Sequence, residues 1–324
     1  MNQSTSERAE IATQNGAPHN NHHGIHQPLE TTARLLSLSQ ILSDFGAAAE
    51  AANLARISGQ PCGAMSGFPS LDRELCGAFA PGVHAIHGNA GAGKTAFCLQ
   101  LASSCQCPAL FVTCEMSPVE LLRRHTARIT NTYLGRLKSG EFRVEDALKL
   151  ARRAIEAAPQ MAFVDATRAP ARPFADPQNP KSFNLLEAAR ITRGDSPHLL
   201  IIIDSLHSWA SAWRFAAASE YDTLNQAIEG LQRLAAELQC PILFVSERNR
   251  SSMEAGGLNA GAGTRRIEYS AETIIDLNRS SEIKEDADGK VPITLRLEKN
   301  RHGAAGKKVL LKFHGATQCF SEAD

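Results

Sequence analysis

The stretch GNAGAGKT, from Gly88 to Thr95, decides the fold. It matches the pattern G-x-x-x-x-G-K-[S/T] at every specified position. An apolar run, Val83 to His87, precedes it and predicts a β-strand, and the residues that follow have the pattern of a helix. Glycines in such a loop let backbone N–H groups curl around a phosphate. The sequence therefore predicts a phosphate-binding loop between a strand and a helix.

The residues of this loop have distinct predicted roles. The Lys94 ammonium is expected to contact the β- and γ-phosphates of a nucleotide, and the Thr95 hydroxyl to bind Mg²⁺. The predicted cofactors are therefore ATP and Mg²⁺. A chance glycine-rich turn is the alternative, but the flanking strand and helix argue against it. The predicted nucleotide-binding residues of the loop are Gly88, Asn89, Ala90, Gly91, Ala92, Gly93, Lys94 and Thr95.

Short apolar runs alternate with helical patterns along most of the chain. Such runs predict the strands of a largely parallel sheet whose crossover helices cover both faces. The predicted fold class is α/β, with a mainly parallel sheet flanked by helices and a C-terminal β-hairpin. The predicted parallel strands are Val83 to His87, Ala109 to Cys114, Met161 to Val164, Leu199 to Ile203, Ile242 to Val245 and Thr273 to Leu277, and the hairpin strands are Ile293 to Leu297 and Val309 to Phe313.

Composition divides the chain into three segments. Residues 1–31 are polar and rich in His, and we predict a disordered tail because so few apolar residues cannot offset the entropy of ordering. Residues 32–58 carry apolar side chains at helical spacing and predict a linker helix whose apolar face needs a partner. Residues 59–320 form the predicted α/β domain.

The overall composition excludes several classes of protein. Lys plus Arg and Asp plus Glu both number 34, so the chain has no overall positive field and any nucleic-acid surface is local. None of the eight cysteines forms a C-x-x-C pair, which argues against a zinc ribbon. No apolar run approaches the length that spans a bilayer, and the N-terminal residues lack an apolar signal region. A cytoplasmic location is therefore predicted.

Two carboxylates follow predicted strands at the edge of the sheet where the phosphates must lie. Asp204 ends the apolar run LLIIIDS and is the predicted Mg²⁺ residue, acting through bound water. An aspartate that caps the following helix is the alternative. Glu115, in VTCEMS, ends another predicted strand, and a carboxylate there can polarise the attacking water.

Several segments, taken in order, resemble the C-terminal motor domain of DnaB-type replicative helicases. The resemblance runs from about Arg56 to Phe313 and implies a RecA-like fold. The phosphate-binding loop alone is shared by all RecA-fold ATPases, whereas the conjunction of C-E-M-S, S-E-R-N-R and K-N-R-H-G is much more specific. The matching segments are SGFPSLDRELCGAFAPG (Ser66 to Gly82), the phosphate-binding loop, CEMSPVELLRRHTARI (Cys114 to Ile129), TNTYLGRLKSGEFRVEDALKLARRAIEAAP (Thr130 to Pro159), IIIDSL (Ile201 to Leu206), LQRLAAELQCPILFVSERNR (Leu231 to Arg250) and LEKNRHG (Leu297 to Gly303).

The resemblance implies a function and further site residues. It implies a homo-oligomeric, hexameric ring that hydrolyses ATP at its subunit interfaces and translocates on single-stranded DNA to unwind duplexes. Glu115 aligns with the family's catalytic glutamate, and Lys299 and Arg301 align with a basic pair that reaches into the nucleotide site of the adjacent subunit. A solvated hairpin tip is the alternative for this pair.

The DNA-binding loops of the family are expected at residues 207–221 and 248–269. The second loop is basic and glycine-rich, which suits a mobile segment that grips a phosphate backbone. A merely solvated loop is the alternative. The predicted DNA-binding residues are Arg248, Arg250, Arg265 and Arg266.

The sequence departs from the family pattern in several places. Ser205 and His207 stand where the family usually has a tyrosine and a glutamine, and Glu247 stands where it has a glutamine that senses the γ-phosphate. We expect Glu247 either to turn away and pair with Arg248 or Arg250, or to be protonated when ATP is bound. The short tail predicts no counterpart of the family's amino-terminal domain, which contacts primase.

Two other classes of ATPase remain open at the level of sequence. A regulatory or scaffold ATPase of the KaiC type fits Glu247 and the short tail, but K-N-R-H-G and C-E-M-S favour the helicase. A recombination ATPase that forms filaments on single strands would carry a polymerisation strand near its N-terminus, and no such motif is found.

Overall fold

A computed structural model describes residues 35–212, 219–247, 262–279 and 285–323, and the predicted tail at residues 1–31 lies outside these ranges. All of the elements below belong to the compact unit Leu38–Asp324. The helices are α1 (Leu42–Ser58), α2 (Pro69–Glu74), α3 (Lys94–Ser104), α4 (Pro118–Ile129), α5 (Leu134–Ser139), α6 (Val144–Ala157), α7 (Leu185–Arg193), α8 (Leu206–Ser211), α9 (Glu220–Leu238) and α10 (Ala262–Ser270). The strands are β1 (Gly82–Gly88), β2 (Ala109–Thr113), β3 (Met161–Asp165), β4 (Leu200–Asp204), β5 (Pro241–Glu247), β6 (Thr273–Arg279), β7 (Lys290–Asn300), β8 (Lys308–His314) and β9 (Cys319–Glu322).

Within the described ranges, nine strands form one mixed sheet in the order β3-β2-β4-β5-β1-β6-β7-β8-β9. The six strands from β3 to β6 in this order are parallel, and β7, β8 and β9 are added antiparallel. The predicted α/β class, the parallel strands and the C-terminal β-hairpin, formed by β7 and β8, are confirmed. Strand β9 was not predicted.

The sheet is buried on both faces, which explains why its central strands are uniformly apolar. Successive residues of β4 alternate between two cores, because side chains along a strand point to opposite faces. Leu200 and Ile202 pack with α3 and the hairpin strands, whereas Ile201 and Ile203 pack with α7, α8 and α9. The phosphate-binding loop therefore follows a strand, β1, that is held in the buried sheet.

Helix α1 lies within the predicted linker segment and buries none of its residues against the described chain. Its large apolar side chains Leu42, Phe45, Leu54 and Ile57 are exposed. The partner that this apolar face was predicted to need is therefore not provided by the described residues of the same chain. None of the helices in the described ranges is both long and apolar enough to cross a membrane.

Both segments predicted as DNA-binding loops contain helices, so the loop prediction was wrong over parts of each. Residues 207–211 belong to α8, which is fixed by the buried Trp209, whose Nε1 donates to the carbonyl oxygen of Ala171 at 2.7 Å. Residues 262–269 belong to α10, whose Ile267 is buried in the core cluster that includes α9. In both places an anchoring apolar side chain stabilises a helix.

Candidate nucleotide site

The loop from Gly88 to Thr95 joins β1 to α3, as predicted. Gly91 and Gly93 have φ angles of 77° and 90°, in the left-handed region that favours glycine. A Cβ on Gly88 would lie 2.9 Å from the carbonyl oxygen of Leu277. The motif glycines are therefore required by backbone conformation and by close packing on β6, besides any role in binding phosphate.

The Lys94 side chain lies over this loop. Its Nζ donates to the carbonyl oxygens of Gly88 at 2.9 Å and Asn89 at 3.1 Å. Helix α3 begins at Lys94, and the N–H groups of its first turn have no acceptor within the helix. Together, a cation, N–H groups open to a ligand and the positive end of a helix suit a polyphosphate.

Asp204 and Thr95 meet at the carboxyl edge of the sheet, as predicted for the two Mg²⁺ residues. The Thr95 hydroxyl is hydrogen-bonded to the Asp204 carboxylate. Asp204 is only 4% exposed, and burial raises its pKa to about 6, with a further increase from Glu115 that Lys94 and Arg124 partly oppose. A cation bound here would offset the cost of burying this charge, and hard oxygen donors suit Mg²⁺. The residues therefore fit the predicted cofactor.

Glu115 follows β2 and lies beside the end of β4. The two parallel strands pair Thr113 with Asp204, and the backbone N–H of Cys114 donates to the carbonyl oxygen of Asp204 at 2.8 Å. The Glu115 side chain is exposed, so water can reach it. The structure thus brings Glu115 together with Asp204, Thr95 and Lys94, as the sequence predicted.

Two serines that sequence reasoning did not place in the site hydrogen-bond to Glu115. The Ser208 hydroxyl donates to Glu115 Oε1 at 2.7 Å, and the Ser205 hydroxyl donates to the same oxygen. Ser205 was noted only as a departure from the family, and Ser208 was not noted. The available signal was a pair of serines spaced by three residues directly after the strand-ending Asp204.

Glu247 ends β5 next to the start of the phosphate-binding loop, because the register of β5 with β1 pairs it with Gly88. Its side chain is exposed at the carboxyl edge of the sheet. Its expected cation partners, Arg248 and Arg250, lie outside the described residues. That Glu247 faces the phosphates stays a prediction.

Lys299 and Arg301 lie at the opposite edge of the sheet. Lys299 on β7 pairs with Ile274 on β6. The preceding residue of β6, Thr273, pairs with His84 on β1. The loop begins at Gly88, four residues further along β1, which is about 13 Å of strand. The basic pair is therefore separated from the phosphate-binding loop of its own chain.

Both cations bind the C-terminal end of α10. Lys299 Nζ donates to the carbonyl oxygens of Glu268 and Tyr269 at 2.6 and 3.3 Å, and burial together with the charge of Arg301 lowers the Lys299 pKa. The Arg301 guanidinium donates to the carbonyl oxygen of Tyr269 at 2.7 Å and to Glu272 Oε1 at 2.8 Å. Cations are favoured at this end of a helix by its dipole. Hydrogen bonds therefore hold both cations against α10, although the Arg301 side chain is 48% exposed at the start of the connection between β7 and β8. The role of the pair at a neighbouring nucleotide site stays a prediction.

The remaining residues of K-N-R-H-G fix the turn that carries the two cations. Asn300 Nδ2 donates to the carbonyl oxygen of Glu74 at 2.8 Å, and His302 Nε2 lies 3.2 Å from Glu272 Oε2. A Cβ on Gly303 would lie 2.8 Å from the same oxygen of Glu74, so only glycine fits there without a shift. Glu272, which bridges Arg301 and His302, belongs to no recognised motif and was missed.

Of the predicted DNA-binding residues, Arg266 is the one whose side chain lies within the described part of the chain. It is carried by α10 and forms an ion pair with Glu229 of α9 at 2.6 Å. Arg248, Arg250 and the side chain of Arg265 lie outside that part. Their role in DNA binding stays a prediction.

Comparison with known proteins identifies the family. The DnaB-like helicase C terminal domain family matches residues 63–322. The chain belongs to this family. A probable replicative DNA helicase of Trieres chinensis is 27% identical over 262 residues, covering 78% of this chain and 55% of that protein. The Replicative DNA helicase DnaB of Haemophilus influenzae is 24% identical over 265 residues, covering 78% and 54%. The chain spans about half the length of these relatives.

Two solved structures have the same fold as this DnaB-like domain. One is an isolated ATPase domain that aligns with a TM-score of 0.70 and 18% identity, covering 88% of this chain and 99% of that one. The other is a DnaB-like replicative helicase studied with primase, which aligns with a TM-score of 0.65 and 20% identity, covering 81% and 64%. Both confirm the RecA-like fold, and membership of the DnaB-like family favours the helicase over the KaiC-type alternative.

Proposed function

We propose that this chain is the motor of a DnaB-type DNA helicase, which hydrolyses ATP at the interfaces of a hexameric ring and translocates on single-stranded DNA. The observation that carries the proposal is the position of the two halves of the site. Lys94, Thr95, Asp204 and Glu115 meet at one edge of the sheet, and the held cation pair lies at the other. A head-to-tail contact between copies brings such edges together, and a contact of this kind closes into a ring when its rotation divides a full turn.

Each residue then has a chemical role. Lys94 and the loop N–H groups bind the phosphates, while Thr95 and Asp204 hold Mg²⁺, which neutralises phosphate charge when bound. Glu115 accepts a proton from the attacking water. Arg301 and Lys299 of an adjacent subunit stabilise the charge of the transferring phosphoryl group. Hydrolysis would therefore depend on the subunit interface.

DNA binding is proposed for Arg248, Arg250, Arg265 and Arg266. The formal net charge of the chain is zero, so attraction to a phosphate backbone has to come from a local basic segment such as this one. The ion pair of Arg266 with Glu229 joins two exposed side chains and is worth little, so Arg266 is available to exchange Glu229 for phosphate. Helix α10 joins this segment to the carbonyls that hold Lys299 and Arg301. Binding of DNA at this segment is therefore expected to affect the positions of Lys299 and Arg301.

The exposed apolar face of α1 supports oligomerisation. Four large apolar side chains exposed on one helix of 17 residues are costly to leave in water. We propose that α1 docks on a neighbouring subunit, as the linker helix does in this family. A cytoplasmic location, which the sequence predicts, is consistent with this role.

One experiment tests the function directly. ATP turnover of the full chain is measured with and without single-stranded DNA, followed by unwinding of a forked duplex, with Lys94→Ala as the inactive control. We expect turnover that rises with DNA and unwinding that requires ATP. Turnover that is indifferent to DNA would contradict the helicase proposal and support a regulatory ATPase.

A further inference from the structure

Two serine hydroxyls converge on one oxygen of Glu115. Ser205 and Ser208 both donate to Oε1, and the two hydroxyl oxygens lie 3.2 Å from each other. The bonds cross from the end of β4 and the first turns of α8 to the end of β2. Glu115 is thus held by two hydroxyl donors from the segment that follows Asp204, the residue predicted to hold Mg²⁺.

The Ser205 side chain does not make the hydrogen bond that is usual for a serine at its position in the chain. It is the N-cap residue of α8, where a serine side chain usually accepts a hydrogen bond from a backbone N–H of the first turn. Its side chain makes no capping bond. The hydroxyl is directed at Glu115 instead, although Ser205 is only 6% exposed.

We propose that Ser205 and Ser208 are positioning residues that orient Glu115 as the general base, an inference that rests on the proposed ATPase function. Both hydroxyls bind Oε1, which leaves Oε2 as the oxygen that accepts a proton. In hydrolysis, the proton of the attacking water moves to Oε2 while the water oxygen bonds to the γ-phosphorus and the bond to ADP breaks. The serines keep their protons and touch neither water nor nucleotide.

The test uses the full chain and compares kcat and KM for ATP hydrolysis in four variants and the unchanged protein. The double variant Ser205→Ala/Ser208→Ala removes both bonds. Ser208→Ala and Ser208→Thr form a matched pair at a partly exposed position, because threonine keeps the hydroxyl. Ser196→Ala is the control, since the Ser196 hydroxyl bonds only within the turn before the opposite end of β4.

We expect kcat of the double variant to fall by roughly tenfold or more, while KM for ATP stays within about twofold. The loss should appear in kcat alone, because the serines orient Glu115 and do not touch the nucleotide. Ser208→Thr should retain the activity that Ser208→Ala loses. Ser196→Ala should behave as the unchanged protein.

Two results overturn the inference. One is an unchanged kcat in the double variant. The other is a loss of kcat that comes with an equal rise in KM and with weaker nucleotide binding, which indicates a general structural defect. Failure of the ATPase proposal itself looks different. In that case the unchanged protein hydrolyses ATP no faster than Glu115→Gln, before any serine is altered.

Discussion

At the scale of the residue, burial of Asp204 places a carboxylate in the candidate nucleotide site but lowers the free energy of unfolding. Its ordinary pKa of 3.8 is raised to about 6, mainly because burial desolvates the carboxylate. The folded state therefore binds more protons than the unfolded state between these values, and folding stability falls as pH rises from about 4 to 6. Two pKa units correspond to about 3 kcal/mol at higher pH. Because ionising this buried carboxylate is costly, a cation bound beside it would stabilise the folded protein.

The variant Asp204→Asn tests whether the buried charge lowers stability and whether it is needed for Mg²⁺-dependent hydrolysis. Removing the charge should raise the melting temperature of the nucleotide-free protein at pH 7.5, whereas at pH 4.5 the gain should shrink because Asp204 is then largely protonated. The same variant should lose Mg²⁺-dependent hydrolysis. Thermal unfolding of both proteins at the two pH values is the measurement. A melting temperature at pH 7.5 that is unchanged or lower would show that the buried charge is compensated in another way.

Glu115→Gln separates binding from chemistry. The amide has nearly the shape of the carboxylate but cannot accept the proton, so hydrolysis should fall by about 10² to 10⁴ while ATP affinity is kept. A fluorescent nucleotide titration and a phosphate-release assay measure the two quantities. Equal losses of affinity and turnover would instead indicate a structural carboxylate.

Glu247→Gln introduces the glutamine that the resemblance to DnaB-type helicases implies for this position. A carboxylate about 4 Å from a phosphate charge would be repelled by on the order of 4 kcal/mol at an effective dielectric near 20. The variant should therefore bind ATP more tightly or respond more strongly to single-stranded DNA. ATP affinity and DNA stimulation of turnover are the readouts. If both stay unchanged, Glu247 does not face the phosphates.

At the scale of the element, the sequence predicted what depends on local pattern and missed what depends on contacts across the chain. The buried strands were predictable because covering helices require uninterrupted apolar runs. Strand β9 was missed because four residues near the C-terminus carry too little pattern to mark a strand. Helices α8 and α10 were missed because the family resemblance implied loops there. Ser208 and Glu272 were missed because their roles arise only when distant strands meet.

The end of α10 gives a prediction at this scale. Glu272→Gln weakens the charged bond that holds Arg301, so Arg301 should lose its fixed position while the nucleotide site of the same chain is untouched. ATP hydrolysis by assembled rings should fall, and ATP binding should not. Glu237→Gln, which breaks an exposed ion pair with Arg190, is the matched control and should have little effect. Normal hydrolysis by Glu272→Gln would show that Arg301 does not depend on this contact.

At the scale of the whole molecule, the predicted phosphate-binding residues and the predicted cation pair do not meet within one chain. The loop with Lys94 lies at the carboxyl edge of the parallel strands, and Arg301 lies at their amino edge, held by Glu272 and the end of α10. We therefore predict that ATP is hydrolysed between subunits. Loss of Arg301 alone should slow hydrolysis by roughly 10³-fold or more if it acts as an arginine finger.

Mixing two inactive variants tests this claim most directly. Lys94→Ala subunits keep Arg301 but lack a working phosphate-binding loop, and Arg301→Ala subunits keep the loop but lack the finger. Mixed assemblies should regain ATP hydrolysis at the interfaces where an intact loop meets an intact Arg301, in proportion to the number of such interfaces. No recovery, with mixing demonstrated by co-purification of differently tagged subunits, would contradict a site shared between neighbouring subunits.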